Sequence, residues 1–385
     1  MKRRRPLEIA LAINVGVIHL ERVVRGIRDY AERHTDWRFL ISPETHYLTP
    51  TALEGWNGDG VIALANTPDD MRVLDSLDCP VVNLSGAYSD SKFPRIRPDY
   101  DRIGRMAAWH LLDRGYRRFG FYGITDIWYS EGYEAGFTQE LATRDLDCSV
   151  LRVAATLGEK SRWDIGQGEL ELWLGTIKPP FAVMAAHDPR AAMVIRACER
   201  VGLRVPEDVA VIGVNNDTVA CESCHPPLSS IERNDYEIGE EAGRLLDRLI
   251  QGKPAPETDK IVAPGAVQDR QSTDSLAVDH PDLLNAIEYS REHFREQIGV
   301  ADIVEANPRS RRWLEDAFVE QLGCTPRTFL FRLRLREAQK LLTDSPDLLP
   351  GEVALRSGYS GTRQLNSHFR SEVGMTAKEY IRGEV

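Results

Sequence analysis

The amino-acid sequence predicts an α/β fold with parallel sheets, followed by a smaller all-α unit. Over residues 1–275, short apolar runs alternate with amphipathic segments, which is typical of parallel strands connected by helices. From about residue 279 onward, helical patterns replace the strand-like runs. The chain has 385 residues, which is enough for two such sheets and a separate helical unit.

The strand candidates are apolar runs bounded by turn residues. They lie at 7–13, 37–41, 60–65, 80–84, 117–122, 181–186 and 209–214. Runs of this kind favour strands that are covered on both faces. Between them, helical periodicity places Val23, Ile27 and Tyr30 on one face, and Ile103 and Leu111 on another. His110 shares the face of Ile103 and Leu111, so we expect it to be a core residue.

The change of pattern predicts two units joined by a linker. The stretch 262–282 contains Pro, Gly, Ser and Thr residues that are typical of a connecting segment. We therefore expect a two-lobed α/β unit over residues 1–275 and a helical unit over residues 276–385.

Composition excludes several classes of protein. The net charge of −11, from 59 Asp/Glu and 48 Lys/Arg, excludes a uniformly basic coat for nucleic acid. No run of 18 apolar residues occurs, so we expect no membrane-spanning helix. Pro6, Glu8 and Asn14 interrupt the apolar stretch near the N-terminus, which argues against a signal peptide. The six cysteines are widely spaced, as in proteins of reducing compartments, and we expect a cytoplasmic protein.

Two segments of the helical unit share a helix–turn–helix layout. In the first, a helix at 300–306 and a turn at 307–309 precede a helix with Ser310 as its expected N-cap. In the second, a helix at 352–356 precedes one that starts near Thr362. The residues expected on the inner faces are Leu314, Ala317, Phe318, Leu365, His368 and Phe369. Those expected to face outward are Arg311, Arg312, Glu315, Thr362, Arg363, Gln364, Asn366 and Ser367.

These two helices meet the requirements for reading DNA. A helix in the major groove buries one face on its own domain and offers hydrogen-bonding side chains to base edges. Residues 307–382 hold 13 Lys/Arg and nine Asp/Glu, a local charge of +4 that suits phosphate binding. We expect Arg363 and Gln364 to contact bases and Arg334 to contact phosphate. The alternative is that Arg332, Arg334 and Arg336 only keep their helix solvated.

A family resemblance rests on spaced motifs in this unit. They are Ile303, 310–314, Phe318, 323–326, Arg334-Leu335, Ala338, Leu341-Leu342, Val353-Ala354, Gly358-Tyr359, Phe369, 374–376 and Tyr380. Together they resemble the AraC-type DNA-binding domain. The resemblance implies two recognition helices, starting near Ser310 and Gly361, in successive major-groove segments. The residues it implies as DNA contacts are Ser310, Arg311, Arg312, Thr362, Arg363, Gln364 and Asn366.

Polar residues follow the predicted strands of the α/β unit. Open α/β sheets bind ligands at the carboxyl ends of their strands. The residues found there, or close by, are Asn14, Asp99, Trp128, Tyr133, Asp188 and Asn215. Carboxylates and amides suit sugar hydroxyls, and aromatic faces pack against a sugar ring. Taken singly, a helix cap or turn is the simpler interpretation of Asp188 or Asn215.

The α/β unit carries a second resemblance. Its residues are Asp99, Gly104, His110-Leu111, 115–117, 181–188, 199–215, 226–231, Gly239, Ala242 and Leu245-Leu246. They resemble the LacI/GalR-type ligand-binding core over about 7–272. The resemblance implies a type I periplasmic-binding-protein fold, with two lobes joined by three crossings and a sugar between them, and sugar contacts at Asp99, Asp188 and Asn215. Asn215 and Tyr133 stand where the family often has Asp and Arg, so the resemblance does not name the sugar.

Together the resemblances imply a ligand-controlled transcription regulator. The order of its two units is similar to that of one kind of bacterial sugar-responsive activator. The expected partners are double-stranded operator or promoter DNA, a small effector and a second copy of the chain, with RNA polymerase a further candidate. A solute-binding protein and a regulator of non-sugar ligands are the alternatives.

The remaining motifs favour neither an enzyme nor a cofactor. No spacing suggests a nucleophile with its base or a metal cluster, so we expect no catalytic residue, no metal and no cofactor. The run 221–225 matches the C-x-x-C-H pattern of covalent haem attachment, with a thiol pair or metal clip as further alternatives. We expect Cys221 and Cys224 to be ordinary cysteines of a surface loop.

Overall fold

The computed structural model describes residues 5–14, 16–41, 48–154, 166–275, 277–278, 280–345, 348–373 and 376–382. Its first lobe is a parallel sheet in the strand order β2-β1-β3-β4, flanked by helices. The elements are β1 Leu7–Ala12, α1 Ile18–His34, β2 Trp37–Leu40, β3 Gly60–Ala63, α2 Pro68–Asp75, β4 Val81–Asn83 and β5 Ile96–Pro98. Every residue of β3 and β4 is buried, as their apolar sequences predict.

The second lobe continues the alternation of strand and helix. Its elements are α3 Tyr100–Leu112, β6 Phe119–Thr125, α4 Trp128–Ala142, β7 Cys148–Ala154, α5 Gln167–Thr176, β8 Phe181–Ala185, α6 Asp188–Arg200, β9 Val209–Val214, α7 Thr218–Glu222 and β10 Ser229–Ile231. The central strands β8 and β9 are buried throughout because helices cover both faces of the sheet. His110 is completely buried here, which confirms it as a core residue.

The chain then returns to each lobe once more. Helix α8, Asp235–Ile250, packs on the first lobe, and β11, Lys260–Val262, pairs with β5. Strand β12, Val267–Gln268, then joins the second sheet antiparallel to β10, giving the order β12-β10-β9-β8-β6-β7. The chain thus passes between the lobes at 98–100, 232–234 and 263–266. These are the three crossings that the family resemblance implies.

Helices α1 and α8 pack closely at two glycines. A Cβ atom at Gly239 would lie 2.0 Å from the Val23 carbonyl oxygen, and one at Gly26 would lie 2.1 Å from that of Tyr236. The absence of side chains lets the two backbones touch. This contact fixes α8 against the first lobe, directly after the second crossing.

The C-terminal unit is helical, as predicted. Its helices are α9 Pro281–His293, α10 Val300–Glu305, α11 Arg311–Leu322, α12 Pro326–Asp344, α13 Pro350–Arg356, α14 Thr362–Val373 and α15 Ala377–Arg382. One apolar cluster joins α9, α10, α11 and the start of α12, and a second joins the end of α12 to α13, α14 and α15. Helix α12 therefore connects two helix–turn–helix units. The motif residues Gly374 and Met375 lie outside the described residues.

Candidate ligand cleft and nucleic-acid interface

The predicted ligand residues fall into groups around the facing edges of the two sheets. Asn14 follows β1, and its Oδ1 accepts a hydrogen bond from the Gly16 amide at 3.0 Å. Asp99 lies at the first crossing, and its Oδ1 caps α3 by accepting from the Arg102 amide at 3.0 Å. Asp99 thus has a helix-capping role, the kind of role that is the simpler interpretation of Asp188 or Asn215 taken singly.

Trp128 and Tyr133 form an aromatic wall with Tyr100. The Tyr100 ring meets Trp128 edge-on at 5.2 Å and Tyr133 at 5.6 Å, between ring centroids. Arg95 and Arg97 lie over the Trp128 ring at 4.6 and 4.9 Å. Tyr133 is 1% exposed, and burial raises the pKa of its phenol far above the ordinary value, so the phenol stays neutral. Trp128 and Tyr133 are thus brought together around one ring, that of Tyr100, which directly follows Asp99 in the sequence.

Asp188 and Asn215 lie together at the ends of β8 and β9. Asp188 is fully buried, and its two oxygens accept from Ser230 Oγ at 2.6 Å and from the Asp217 amide at 2.7 Å. Burial raises the pKa of Asp188 to about 7. Both carboxylate oxygens of Asp188 therefore connect elements of the second lobe, since Ser230 belongs to β10 and Asp217 precedes α7. Asn215 is 9% exposed and has a positive φ of 107°.

Sequence reasoning missed the charged residues that cross the cleft. Arg22, from α1 of the first lobe, donates to the carbonyl oxygens of Asn215 and, at 3.1 Å, Asn216 of the second lobe. The fully buried Asp235 carboxylate lies 3.3 Å from Arg22 and 3.1 Å from Arg233. Arg233 lies in the second crossing, and Asp235 directly follows it as the first residue of α8. A search of the crossings, as well as the strand ends, would have found them.

Several polar atoms in this cleft are buried without a partner. Within the described part of the chain, Arg22 Nε, Arg233 Nε and His19 Nδ1 form no hydrogen bond. An unsatisfied buried donor costs about 1–3 kcal/mol, so a ligand that hydrogen-bonds here gains that energy. Burial, and then the Arg233 and Arg22 cations, lower the pKa of His19 well below its ordinary value, so the imidazole is neutral.

The two lobes already touch at one edge of the cleft. The amides of Trp128 and Tyr129, in the first turn of α4, donate to the carbonyl oxygens of Ala87 and Gly86 at 3.0 Å each. The start of a helix leaves such amides free for a partner. The first lobe supplies that partner, which holds the aromatic wall against the cleft.

Helix α11 exposes the residues predicted for the first DNA contact. Ser310 caps the helix by accepting from the Trp313 amide at 3.3 Å. Arg311 and Arg312 are exposed, and each faces an acidic residue one turn on, Glu315 at 2.9 Å and Asp316 at 3.9 Å. Exposed pairs of this kind are weak. Both guanidiniums are therefore free to exchange a carboxylate for a phosphate or a base.

Helix α14 divides its predicted contacts between outward and inward roles. Arg363 is exposed and Thr362 is half-buried. Gln364 Oε1 instead accepts from the amide and hydroxyl of Ser360, both at 3.0 Å, and Asn366 Oδ1 accepts from the Ala377 amide at 3.1 Å. Their carbonyl ends support the domain itself, whereas the Arg363 side chain is exposed to solvent.

The predicted phosphate contact of Arg334 is wrong. Arg334 is 4% exposed and donates to the carbonyl oxygens of Phe294, Glu296 and Ile298 at 2.8, 2.9 and 2.8 Å. It ties the loop between α9 and α10 to α12. The alternative interpretation, that these arginines only solvate a helix, is also wrong, because Arg332 and Arg336 both pair with Asp113 of the second lobe.

The cysteines of the 221–225 run were also placed incorrectly. Cys221 is fully buried and Cys224 is 7% exposed, so neither is a surface residue. Both are free thiols that pack against the core under β8 and β9. Burial raises the pKa of Cys221 and Cys224 above the ordinary value, which keeps the thiols unreactive. The residues that the structure describes contain no cluster of His, Cys, Asp or Glu suited to a metal ion.

Comparison with known proteins agrees with this architecture. Residues 8–100 match the XylR N-terminal domain, residues 108–273 a periplasmic binding protein-like domain, and residues 304–383 a helix-turn-helix domain. The xylose operon regulatory protein of Escherichia coli K12 is 30% identical over 381 residues, which cover 97% of this chain and 96% of that protein. The chain belongs to the xylose operon regulatory protein family.

Other members of this family show the same extent of likeness. The Haemophilus influenzae xylose operon regulatory protein is 27% identical and covers 97% of each chain. A solved structure of a xylose-binding transcription activator is 28% identical, with a TM-score of 0.62 over 98% of each chain. As a member, this chain is a DNA-binding transcription regulator and not an enzyme. None of its described helices has the length and apolar character that a membrane span requires.

Proposed function

We propose that this regulator binds a sugar or a related polyol between its lobes and adjusts its hold on the control DNA of carbohydrate genes in response. The observation that carries the proposal is the cleft itself. Arg22 joins the two lobes, buried donors without partners lie around it, and an aromatic wall closes one side. Sugar recognition needs the same combination of convergent hydrogen-bonding groups and an apolar face.

The chemistry of the cleft favours an uncharged ligand with several hydroxyl groups. Among the described residues, the cleft groups without a partner are two guanidinium nitrogens, which donate, and one nitrogen of a neutral imidazole, which donates or accepts. These groups suit hydroxyls, and the half-buried Trp128 ring suits the apolar face of a sugar. Asn14, Asp99, Asp188 and Asn215 stay candidates for further contacts. Xylose is the first sugar to test because relatives are named for it. Asn215 and Tyr133 are reasons to extend the test to other pentoses and to hexoses.

The DNA contacts are proposed from exposure. Arg311 and Arg312 of α11 and Arg363 of α14 are exposed cations in the first turns of these helices, and Ser310 and Thr362 stand at their starts. Helix α12, with 19 residues, is roughly 28 Å long. That length approaches the ~34 Å repeat of the DNA major groove, which favours two successive groove segments on one face. We further propose a cytoplasmic homodimer that engages two half-sites. We also propose that the protein contacts RNA polymerase when it activates transcription.

The decisive experiment is a thermal unfolding series with sugars. A ligand at one hundred times its Kd stabilises the folded state by about 2.7 kcal/mol, which raises the midpoint of a sensor this size by about 5 °C. We expect that rise with at least one pentose, hexose or polyol, and a change in operator affinity at the same concentration. If none of them raises the midpoint, the sugar-sensor proposal fails.

A matched pair of variants locates the binding site. Arg22→Gln removes the guanidinium that crosses the cleft, whereas Arg25→Gln changes an arginine on the same helix whose side chain is 70% exposed. We expect the sugar-induced shift to disappear in Arg22→Gln and to persist in Arg25→Gln. An equal shift in both variants would place the sugar elsewhere.

A further inference from the structure

A cavity lies outside the cleft, between the second lobe and the DNA-binding unit. Its volume is about 540 Å³, within the range of small-molecule sites. The C-terminal end of α3 and the segment 266–271 form one wall, and α9 and α12 form the other.

The cavity is basic in an acidic protein. Seven Lys/Arg and four Asp/Glu line it, whereas the whole chain carries a net charge of −11. Most of the acidic groups are already engaged. Asp113 pairs with both Arg332 and Arg336, Asp269 lies 2.6 Å from Arg114, and Glu337 lies 2.9 Å from Arg295. The excess positive charge is therefore left for a partner.

The positive charge of Arg291 has no close acidic partner among the described residues. It lies in the last turn of α9 and is half-buried in the cavity wall. Among the described residues it forms no hydrogen bond and no ion pair within 4.0 Å, and the carboxylates of Asp269 and Asp274 act on it only from farther away. Burial, followed by the Arg114 cation, lowers the pKa of Arg291 to about 10. A bound anion would relieve this cost.

The other wall residues define the rest of the ligand. Trp109 and Phe294 give the cavity two aromatic surfaces, and Lys340 adds an exposed ammonium group. Guanidinium groups bind phosphate through two parallel hydrogen bonds, and aromatic faces pack on the carbon skeleton of a sugar. We propose that this cavity binds a small phosphomonoester, such as a sugar phosphate, with the phosphate at Arg291 and the carbon skeleton against Trp109.

Such a ligand would act on the arrangement of the two units. Trp109 belongs to the second lobe and Arg291 to the DNA-binding unit, so a ligand held by both residues bridges the two units. Such a ligand favours the arrangement in which both residues line the cavity. The protein then has two inputs, an uncharged sugar between the lobes and a phosphorylated metabolite beneath the DNA-binding unit.

The test is calorimetric titration of the full-length protein, at constant ionic strength, with three probes. They are ribose 5-phosphate, ribose and inorganic phosphate. We expect saturable binding of ribose 5-phosphate that persists in Arg22→Gln, whose altered residue lies in the cleft. Arg291→Gln is expected to weaken binding at least tenfold and Arg291→Lys to restore part of it. Arg356→Gln, which changes an exposed arginine of α13, is expected to leave it unchanged.

Three outcomes overturn the proposal. One is the absence of saturable binding that depends on Arg291, seen either as no binding at all or as an equal loss of affinity in Arg291→Gln and Arg356→Gln. Another is equal affinity for inorganic phosphate and ribose 5-phosphate, which would remove the assignment to an ester. The third is a loss of duplex DNA binding in Arg291→Gln with ester binding intact, which would mean that these cations contact the DNA backbone. The sugar-sensor proposal survives each of these results, because the cleft is tested by different variants.

Discussion

Replacement of Asp113 by Asn tests how the sensor holds the DNA-binding unit. Asp113 ends α3, and its side chain is 2% exposed. It lies 2.8 Å from Arg332 and also contacts Arg336, both on α12. One carboxylate therefore binds two guanidiniums of the other unit. The substitution keeps the shape of the side chain and removes its charge.

The size of the effect follows from the exposure of the three groups. Removing one partner of a fully buried ion pair costs about 3–5 kcal/mol, because the remaining charge is left without compensation. Here Arg332 and Arg336 keep 16% and 26% of their side-chain exposure, so both can turn partly towards water. We therefore expect Asp113→Asn to lower the free energy of unfolding by about 2–3 kcal/mol, below the fully buried limit.

Urea unfolding of the full-length protein measures this loss. A double-mutant cycle with Arg336→Met isolates the pairwise term, for which we expect a coupling of about 1–3 kcal/mol. Asp316→Asn is the matched control, since Asp316 is 75% exposed and lies 3.9 Å from the 94% exposed Arg312. That control is expected to change stability by less than about 0.5 kcal/mol. Equal effects of Asp113→Asn and Asp316→Asn, or a coupling energy near zero, would refute the reasoning.

Four further predictions follow from single side chains. Arg363→Ala, at an exposed position, is expected to cost about 1–3 kcal/mol of operator binding with little loss of stability, and equal losses on operator and random DNA would contradict a base contact. Arg334→Met removes the buried cation together with its three hydrogen bonds and is expected to destabilise the DNA-binding unit by about 3 kcal/mol or more. Unfolding followed by circular dichroism measures this loss, and an unchanged unfolding curve would contradict the prediction. Tyr380→Phe removes a buried hydroxyl that donates to the Pro264 carbonyl oxygen at 3.1 Å, at the third crossing. We expect the free energy of unfolding to fall by about 0.5–1.5 kcal/mol and the effect of the sugar on DNA affinity to become weaker. Asp188 has a pKa of about 7 in the folded protein and about 3.9 when unfolded, so its contribution to stability is complete below about pH 4 and is lost as the pH rises through 7. Asp188→Asn is therefore expected to lose less stability than the parent between pH 5 and pH 8, and parallel profiles would contradict this.

Much of the architecture could be predicted because its signals are local. The strands at 60–65, 181–186 and 209–214 are apolar throughout, and the structure buries them on both faces. Ser310 was predicted as an N-cap from its residue type and position, and it caps α11. The order of the two resemblances was also sufficient to indicate a regulator.

Several strands could not be predicted from the hydrophobic pattern of the sequence. Strands β5, β10 and β11 have three residues each, too few for a period to show, and they form by pairing with distant segments. Strand β11 pairs with β5 across about 160 residues of sequence. Strand β7 is longer, but it is the edge strand of its sheet and is only partly buried, so its residues are not uniformly apolar.

The arginines of α12 show the limit of local reasoning most clearly. Arg332, Arg334 and Arg336 alternate with leucines, and their residue type alone suggested a single role for all three. On a helix, positions 332 and 336 share one face and position 334 points to another. Residue type and spacing were enough to establish a basic helix. Its neighbours in space determined that one arginine binds the carbonyl oxygens of a loop and the other two bind Asp113, because the free energy of a buried charge depends on the groups that surround it.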